Sequence, residues 1–309
     1  GHVVTKEDLE HLVRLGKKNL YVLEIPPDMM HEDEAVLSLA EALSASGVTY
    51  NARPTEGKIN LAAAHDGLLK VNVEALTRFN LVQGVMCASR HTNTMVRQGE
   101  IVAGTRAIPL VIDRRAVAEA ATVAREAGGV FRVLEMTRPL AGLVVTGSEI
   151  FEGLIQDKSA LKVGGRLESF GCRVLRAAYT PDDPDFIART IRELIAEGVQ
   201  LVVATGGLSV DPDDVTALGV ARAGAEDLLY GSSVLPGAML LLARVENVPV
   251  IGVPACVLYH ERTIFDLVLP RVLAGENLTR RDLAALAHGG LCLNCETCRF
   301  PVCPFGKGG

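Results

Sequence analysis

The chain has no tryptophan among its 309 residues, and aromatic residues make up only 4% of it. Proteins that hold single-stranded nucleic acid stack bases on aromatic side chains set between basic ones. Here no run of basic residues occurs and the formal net charge is −6, so nucleic acid is not an expected partner. No apolar stretch reaches the roughly 18 residues of a membrane span without a charge. No basic segment followed by an apolar stretch marks a secretory leader. The expected setting is the cytoplasm, without a membrane partner. The first residue is Gly rather than Met, as in a processed or trimmed chain. Negative net charge also means that an anionic ligand needs local cations and backbone N–H groups to hold it, because the overall field does not attract it. What the chain does have is apolar residues, 49% of the total, enough for a substantial core and, at this length, for two domains.

The densest chemistry lies in Thr205-Gly-Gly-Leu-Ser-Val-Asp-Pro-Asp-Asp-Val-Thr216. An apolar run over 199–204 precedes it and reads as a buried strand. A turn with Gly206 and Gly207 lets backbone approach a phosphate or a flat ligand closely. Asp211, Asp213 and Asp214 then fall within four residues, and clustered carboxylates repel unless a cation such as Mg²⁺ sits among them. The alternative is a loop whose aspartates cap the next helix. A second strand, 143–145, leads into Thr146-Gly-Ser-Glu149 and then a helix beginning near Asp157 or Ser159, either of which can cap it. Ligands of open α/β sheets bind outside the carboxyl ends of the strands, so the two turns predict one site.

Together these segments carry a resemblance. Residues from about 140 to 275 resemble the molybdopterin-binding domain of molybdenum-cofactor biosynthesis proteins. The Thr146–Glu149 turn and the Thr205–Val210 run look like those of the molybdopterin molybdotransferases. Asp157-Lys-Ser159 and Pro212-Asp-Asp-Val-Thr216 look more like the adenylyltransferases. The pattern around Thr205–Thr216 is also similar to the competence-damage-inducible family, whose related domain has pyrophosphatase activity. The segments Gly231–Gly237 and Val250–Pro254 fall where the molybdotransferases have their Pro-Gly turns. The last of these departs from the family pattern: Ala255, Cys256 and Val257 replace Gly, Asn and Pro. Cys256 reads as a small buried apolar residue or as a ligand to metal or to a dithiolene-like group.

The resemblance implies a binding site for molybdopterin or its nucleotide form. Thr146, Gly147, Ser148, Thr205, Gly206, Gly207, Ser209, Thr216, Pro236, Gly237 and Pro254 would cradle it. Asp157, Asp211, Asp213 and Asp214 would hold Mg²⁺ with an ATP or AMP moiety, and Glu149, Asp157 and Asp214 would serve catalysis, Glu149 orienting a water, metal or molybdate oxygen. The implied chemistry is adenylyl transfer or nucleotide-coupled metal insertion, with ATP and molybdate as partners and a homo-oligomer as the assembly. The alternatives are a non-catalytic cofactor carrier or adaptor, favoured by the altered Ala255–Val257 turn, and a dinucleotide pyrophosphatase using the same carboxylates.

The expected fold class is α/β. A three-layer αβα domain with a largely parallel sheet spans 140–280, behind a smaller α+β domain over 1–139 and ahead of a Cys-rich tail over 281–309. In the central domain, strands are expected over 142–146, 173–178, 199–205 and 248–253. Helices are expected over 158–170, 184–197, 213–224, 237–246 and 257–273. Asp182, Asp183 and Asp185 read as capping acids outside the site. In the amino-terminal part, a helix over 7–15, a strand over 20–25 and a helix from His31-Glu-Asp-Glu34 to Leu43 are expected. That acidic cluster reads as first-turn residues suiting the helix dipole, or as a metal site. Arg90 to Arg97 reads as a solvated loop or an anion-holding turn. Apolar runs over 57–64, 81–87 and 100–112, a helix over 116–127 and a strand over 130–136 complete it.

Four of the seven cysteines, Cys292, Cys295, Cys298 and Cys303, fall within twelve residues. Such density without a secretory leader points to a metal rather than to disulfides. The spacing is close to the ferredoxin run for iron–sulfur clusters, with one extra residue before the last Cys-Pro. A Cys₄ zinc site is the other reading. Either metal would order a Gly-rich end that is otherwise expected to be disordered. The tail could also dock a molybdoenzyme or maturation factor. Cys87 and Cys172 read as core.

Overall fold

The computed structural model describes residues 4–17, 19, 24–209 and 215–308. The expected strand at 20–25 lies largely outside them, as do Asp211, Asp213 and Asp214. The amino-terminal region is α+β. It begins with α1 (Leu9–Arg14), β1 (Met29–His31), α2 (Glu32–Leu43), β2 (Val48–Tyr50), β3 (Lys58–Ala63) and β4 (Gly67–Val71). There follow α3 (Val73–Asn80), β5 (Val85–Ser89), β6 (Thr94–Val96), β7 (Ile101–Ala107), β8 (Val111–Asp113), α4 (Arg114–Glu126) and β9 (Phe131–Leu134). The strands form antiparallel sheets ordered β2-β3-β7-β5 and β6-β4-β9, plus a β1-β8 pair. Leu39 and Leu43 of α2, Phe79 of α3, Leu61 of β3 and Phe131 of β9 meet in one buried core.

The acidic start of α2 has a structural role. The His31 imidazole Nδ1 accepts the Asp33 N–H at 3.2 Å and caps the helix. Glu34 pairs with Arg114 at 2.7 Å and Glu32 with Arg106 at 3.4 Å. The anion turn of Arg90 is likewise engaged, since its guanidinium bonds Glu100 at 2.6 Å.

The central region continues with β10 (Leu140–Thr146), α5 (Ser148–Phe151), α6 (Ser159–Ser169), β11 (Arg173–Thr180), α7 (Pro184–Ala196) and β12 (Leu201–Thr205). It ends with α8 (Thr216–Arg222), β13 (Glu226–Tyr230), β14 (Leu241–Val245), β15 (Val248–Val253), α9 (Ile264–Leu273) and α10 (Arg280–Ala285). One six-stranded sheet runs β11-β10-β12-β15-β14-β13. Its first four strands are parallel, and β14 and β13 are antiparallel additions at one edge. Strand residues alternate between two cores, as the pleat demands. Leu143, Val203 and Ile251 face α6, α9 and α10, while Val144, Val202 and Val250 face α7 and α8. The domain is therefore three-layered, with both sheet faces covered.

Three expectations need correction. The helix expected over 237–246 is β14, preceded by a loop. Glu246 and Asn247 both have positive φ, at 50° and 67°, and join Val245 to Val248 in a two-residue hairpin whose twist such φ values match. The helix expected over 257–273 splits into a 3-10 turn at Ala255–Leu258 and α9, which starts at a Thr263/Asp266 capping box. The tail end is not disordered: Phe305 is buried in the core beneath α9 and α10, and Gly306 N–H bonds the Gly289 carbonyl at 2.9 Å. As expected, Cys87 and Cys172 are buried, and burial pushes the Cys87 thiol up to about 12.

Candidate functional site

Strand register brings the expected turns to one edge. Val145 is opposite Thr205, Thr205 opposite Val253, and Gly252 opposite Leu241. The residues after β10, β12 and β15 and those before β14 therefore share the carboxyl edge of the parallel strands. Adjacent strands β10 and β12 send their chains to opposite faces, β10 to α6 and β12 to α8. In open α/β sheets such divergence leaves a crevice at the topological switch point, where ligands bind.

Threonines tie the turns together beneath this crevice. Thr146, Thr205 and Thr216 are all buried. The Thr146 and Thr216 hydroxyls lie 2.9 Å apart, and the Thr216 hydroxyl donates to the Gly206 carbonyl at 2.9 Å. Thr216 N–H closes the loop onto the Gly207 carbonyl at 3.1 Å. Gly206 and Gly207 have φ of +91° and +53°. A Cβ at Gly206 would strike the Thr146 carbonyl oxygen, and one at Gly207 would lie 2.6 Å from the Thr216 hydroxyl. Glycine is required at Gly206 by sterics as well as by φ. The loop is also held from above, because the Tyr230 hydroxyl donates to the Leu208 carbonyl at 2.6 Å. Ser209 is exposed.

The Thr146–Glu149 turn has its own anchor. Asp182, set aside by sequence reasoning as a capping acid, accepts from Ser148 N–H at 2.8 Å and from the Ser148 hydroxyl at 3.0 Å. Gly147 N–H donates to the Thr180 carbonyl at 3.1 Å. The Thr180 hydroxyl is buried with no hydrogen-bond partner among the described residues, an unspent donor at this edge. Glu149 is exposed. Asp183 caps α7 through Asp185 and Phe186 N–H groups, and those bonds hold its carboxyl below the ordinary range. That capping role for Asp183 follows from the Asp-Pro pair in the sequence; the role of Asp182 does not.

Asp157 accepts from Ser159 N–H at 2.7 Å, the Ser159 hydroxyl at 2.6 Å and Ala160 N–H at 3.0 Å, and the Tyr179 hydroxyl donates to it at 3.4 Å. It thus secures the start of α6. Beside it, Lys158, Lys162 and Tyr259 line a cavity of about 740 Å³ with Leu258. Lys162 donates to the Leu258 carbonyl at 2.7 Å, so Lys158 is the exposed cation there. These lysines supply local positive charge of the kind an anionic ligand needs; in the sequence Lys158 stands within Asp157-Lys-Ser159, where neither it nor Lys162 carries a predicted role. Gly237, after the Leu235–Pro236 cis bond, has φ of +128° and a Cβ there would strike Ile264. Pro254 is buried and Ala255 exposed, while Cys256 is half-buried, which raises its thiol. Within the substituted turn, Val257 N–H donates to the Pro254 carbonyl at 3.1 Å.

The four tail cysteines line a single cavity with Tyr259 and Arg262. Among the described residues, no three His, Cys, Asp or Glu side chains stand together as ligands for one metal ion. No described helix is long and apolar enough to cross a membrane.

Residues 142–274 match the family described as "probable molybdopterin binding domain". The chain is similar to a CinA-like protein of Mycobacterium sp. strain MCS, 38% identical over 89 residues, covering 29% of this chain and 21% of that protein. It is also similar to a molybdopterin molybdenumtransferase of Synechococcus elongatus, 26% identical over 155 residues, covering 48% of this chain and 38% of that protein. The chain thus spans well under half the length of these curated relatives. A solved structure of the molybdopterin biosynthesis enzyme MoaB from Thermus thermophilus is 19% identical with a TM-score of 0.39, covering 45% of this chain and 98% of that one. Residues 142–274, with their threonine-locked glycine turns, therefore belong to the molybdopterin-binding domain family of molybdenum-cofactor biosynthesis.

Proposed function

We propose that the crevice between β10 and β12 binds molybdopterin or its nucleotide form. In this reading the chain carries out Mg²⁺-dependent chemistry on the ligand's phosphate, either adenylyl transfer to it or nucleotide-coupled insertion of metal from molybdate. The observation that carries the reading is the hydroxyl link from Thr146 through Thr216 to Gly206, which fixes two ligand turns at the switch point of a domain of this family. Gly147, Ser148, Thr205, Gly207 and Ser209 complete the cradle, with Pro236, Gly237 and Pro254 closing its far side. Lys158 supplies charge for a phosphate, and Glu149 is exposed to orient a water or a metal-bound oxygen.

Asp211, Asp213 and Asp214 would hold Mg²⁺, an oxygen-seeking cation that shares its ligands with substrate phosphates. Asp157 is the weaker ligand of the set, because its oxygens already hold α6. When bound, Mg²⁺ would neutralise phosphate charge during transfer. Localisation in the cytoplasm and assembly as a homo-oligomer belong to the same proposal.

Calorimetric titration with molybdopterin, with and without Mg-ATP, while AMP and pyrophosphate are followed, tests it. Binding with nucleotide turnover supports the enzyme, and Asp214→Asn should then abolish turnover. Binding without turnover would favour a carrier. Absence of binding would sink the reading. The similarity to the CinA-like protein favours a second reading, a dinucleotide pyrophosphatase. It would cleave its substrate with Mg²⁺ and no pterin, so the products separate the two.

A further inference from the structure

The clustered cysteines play no part in the pterin chemistry, and their placement supports an inference independent of it. Cys292, Cys295, Cys298 and Cys303 line one cavity of about 530 Å³. They are carried by a docked segment. Leu235 N–H donates to the Gly290 carbonyl at 2.9 Å, and Cys292 N–H donates back to the Leu235 carbonyl at 2.8 Å. Phe305, only 3% exposed, anchors the segment in the core. The tail therefore pairs with the residue before Pro236, at the edge of the candidate site. Tyr259 lines both this cavity and the one beside Asp157.

The spacing of the four cysteines separates a single ion from a cluster. A Cys₄ zinc site packs its sulfurs about one ion at ~2.3 Å and needs only two short Cys-x-x-Cys-like turns. A four-iron cluster instead places each cysteine sulfur on a different iron, so the thiolates ring a volume rather than a point. The Cys-x2-Cys-x2-Cys-x4-Cys-Pro spacing of the four cysteines that line the cavity is close to the ferredoxin run and favours the second pattern. The electrostatics agree, because a thiolate-ligated cluster carries net negative charge. Arg262 lies within electrostatic reach of Cys298 and stacks over Phe300 at 5.1 Å. Its Nε is buried and has no hydrogen-bond partner among the described residues. Lys307 lies within electrostatic reach of Cys303, and Phe300 packs edge-on against Phe305 at 6.2 Å, making an apolar wall.

We infer that the tail binds one [4Fe–4S] cluster through Cys292, Cys295, Cys298 and Cys303, abutting the candidate pterin site at Tyr259. On assembly each thiol loses its proton to solvent as its sulfur bonds iron. Ferrous and ferric iron in equal parts combine with sulfide to form the oxidised core.

The test uses the full chain, purified anaerobically and reconstituted with iron and sulfide. The expected result is about four iron and four sulfide per chain, a broad visible absorption, and a paramagnetic signal after reduction by dithionite. Cys295→Ser should lose the cluster or convert it to a form with less iron while far-ultraviolet circular dichroism stays unchanged. Cys256→Ala should keep it. Arg262→Gln should keep the iron and shift the reduction potential to more negative values, because a cation beside the cluster favours the reduced state. Stoichiometric zinc that iron does not displace, or full cluster content in the Cys295→Ser protein, would overturn the inference, as would loss of the cluster in Cys256→Ala.

Discussion

Gly206 is where one methyl group separates an intact site from a broken one. Its φ of +91° belongs to the region glycine alone enters cheaply, and the missing Cβ would meet backbone, the Thr146 carbonyl oxygen. A backbone neighbour cannot rotate away as a side chain would, so Gly206→Ala must displace a strand end. The expected cost is about 1–3 kcal/mol, read as a lower urea midpoint with unchanged slope, together with loss of molybdopterin binding. Binding retained at wild-type strength would show that the two turns do not act as one cradle. At this scale the site was legible where its chemistry is local: Gly-Gly after a buried strand announces the turn. Asp182 was not, because its partner Ser148 is 34 residues away and an aspartate two residues before a proline-led helix looks like a cap. Lys158 escaped for the same reason, since only the fold brings Leu258 and Tyr259 beside it.

The short helix α10 shows what a single carboxylate does for an element. Asp282 accepts from Thr279 N–H at 2.9 Å and from its hydroxyl at 2.5 Å, closing a capping box, and bonds the buried Arg271 at 2.8 Å. Burial pushes its carboxyl up, but Thr279 and Arg271 outweigh that and bring it down to about 2 from 3.8. A carboxyl depressed in the folded state stabilises above its unfolded value, and that contribution is lost as pH falls from about 4 towards 2. Allowing for solvent screening of a side chain one-third exposed, Asp282→Asn should cost about 1 kcal/mol at pH 7. The difference from the parent should vanish near pH 2. Chemical denaturation at both pH values checks this, and an equal deficit at both would assign the effect to packing instead. Elements of this kind, with a cap and a repeating apolar face, were readable: α4, α6 and α7 fall close to their expected spans. The β14 strand was not. Leu240-Leu-Leu-Ala243 carries no alternation, because both of its faces are covered, and a buried run without period cannot be told from a buried helix. The hairpin signal, Glu246-Asn247, lacks the glycine that usually marks such turns.

At the scale of the whole molecule, the two regions are joined by a charged seam. Lys70 on β4 forms an ion pair with Glu276, just beyond α9, at 2.6 Å. Glu276 also bonds Arg271 at 2.9 and 2.8 Å, and Arg271 bonds Asp282. Thr137, in the irregular segment between β9 and β10, donates through N–H and hydroxyl to the Leu273 carbonyl at 2.8 and 3.0 Å. The chain 1–309 is therefore expected to unfold as one unit despite its separate cores. Lys70 and Glu276 are only 23% and 17% exposed, so the pair is screened less than a surface bridge, and desolvation lowers the Lys70 ammonium pKa against the pull of Glu276. Lys70→Met removes a cation but leaves Glu276 its arginine, so the loss should be moderate, about 1–2 kcal/mol. A double-mutant cycle with Glu276→Gln should return a coupling energy of at least about 0.5 kcal/mol. Scanning calorimetry of Lys70→Met should also show the single transition broadening toward two, as the α+β region loosens from the region that carries the site. If the cycle is additive within about 0.3 kcal/mol and the transition stays sharp, the seam at Thr137 and Leu273 alone transmits cooperativity. The charged network would then serve α10 and not the union of the two regions.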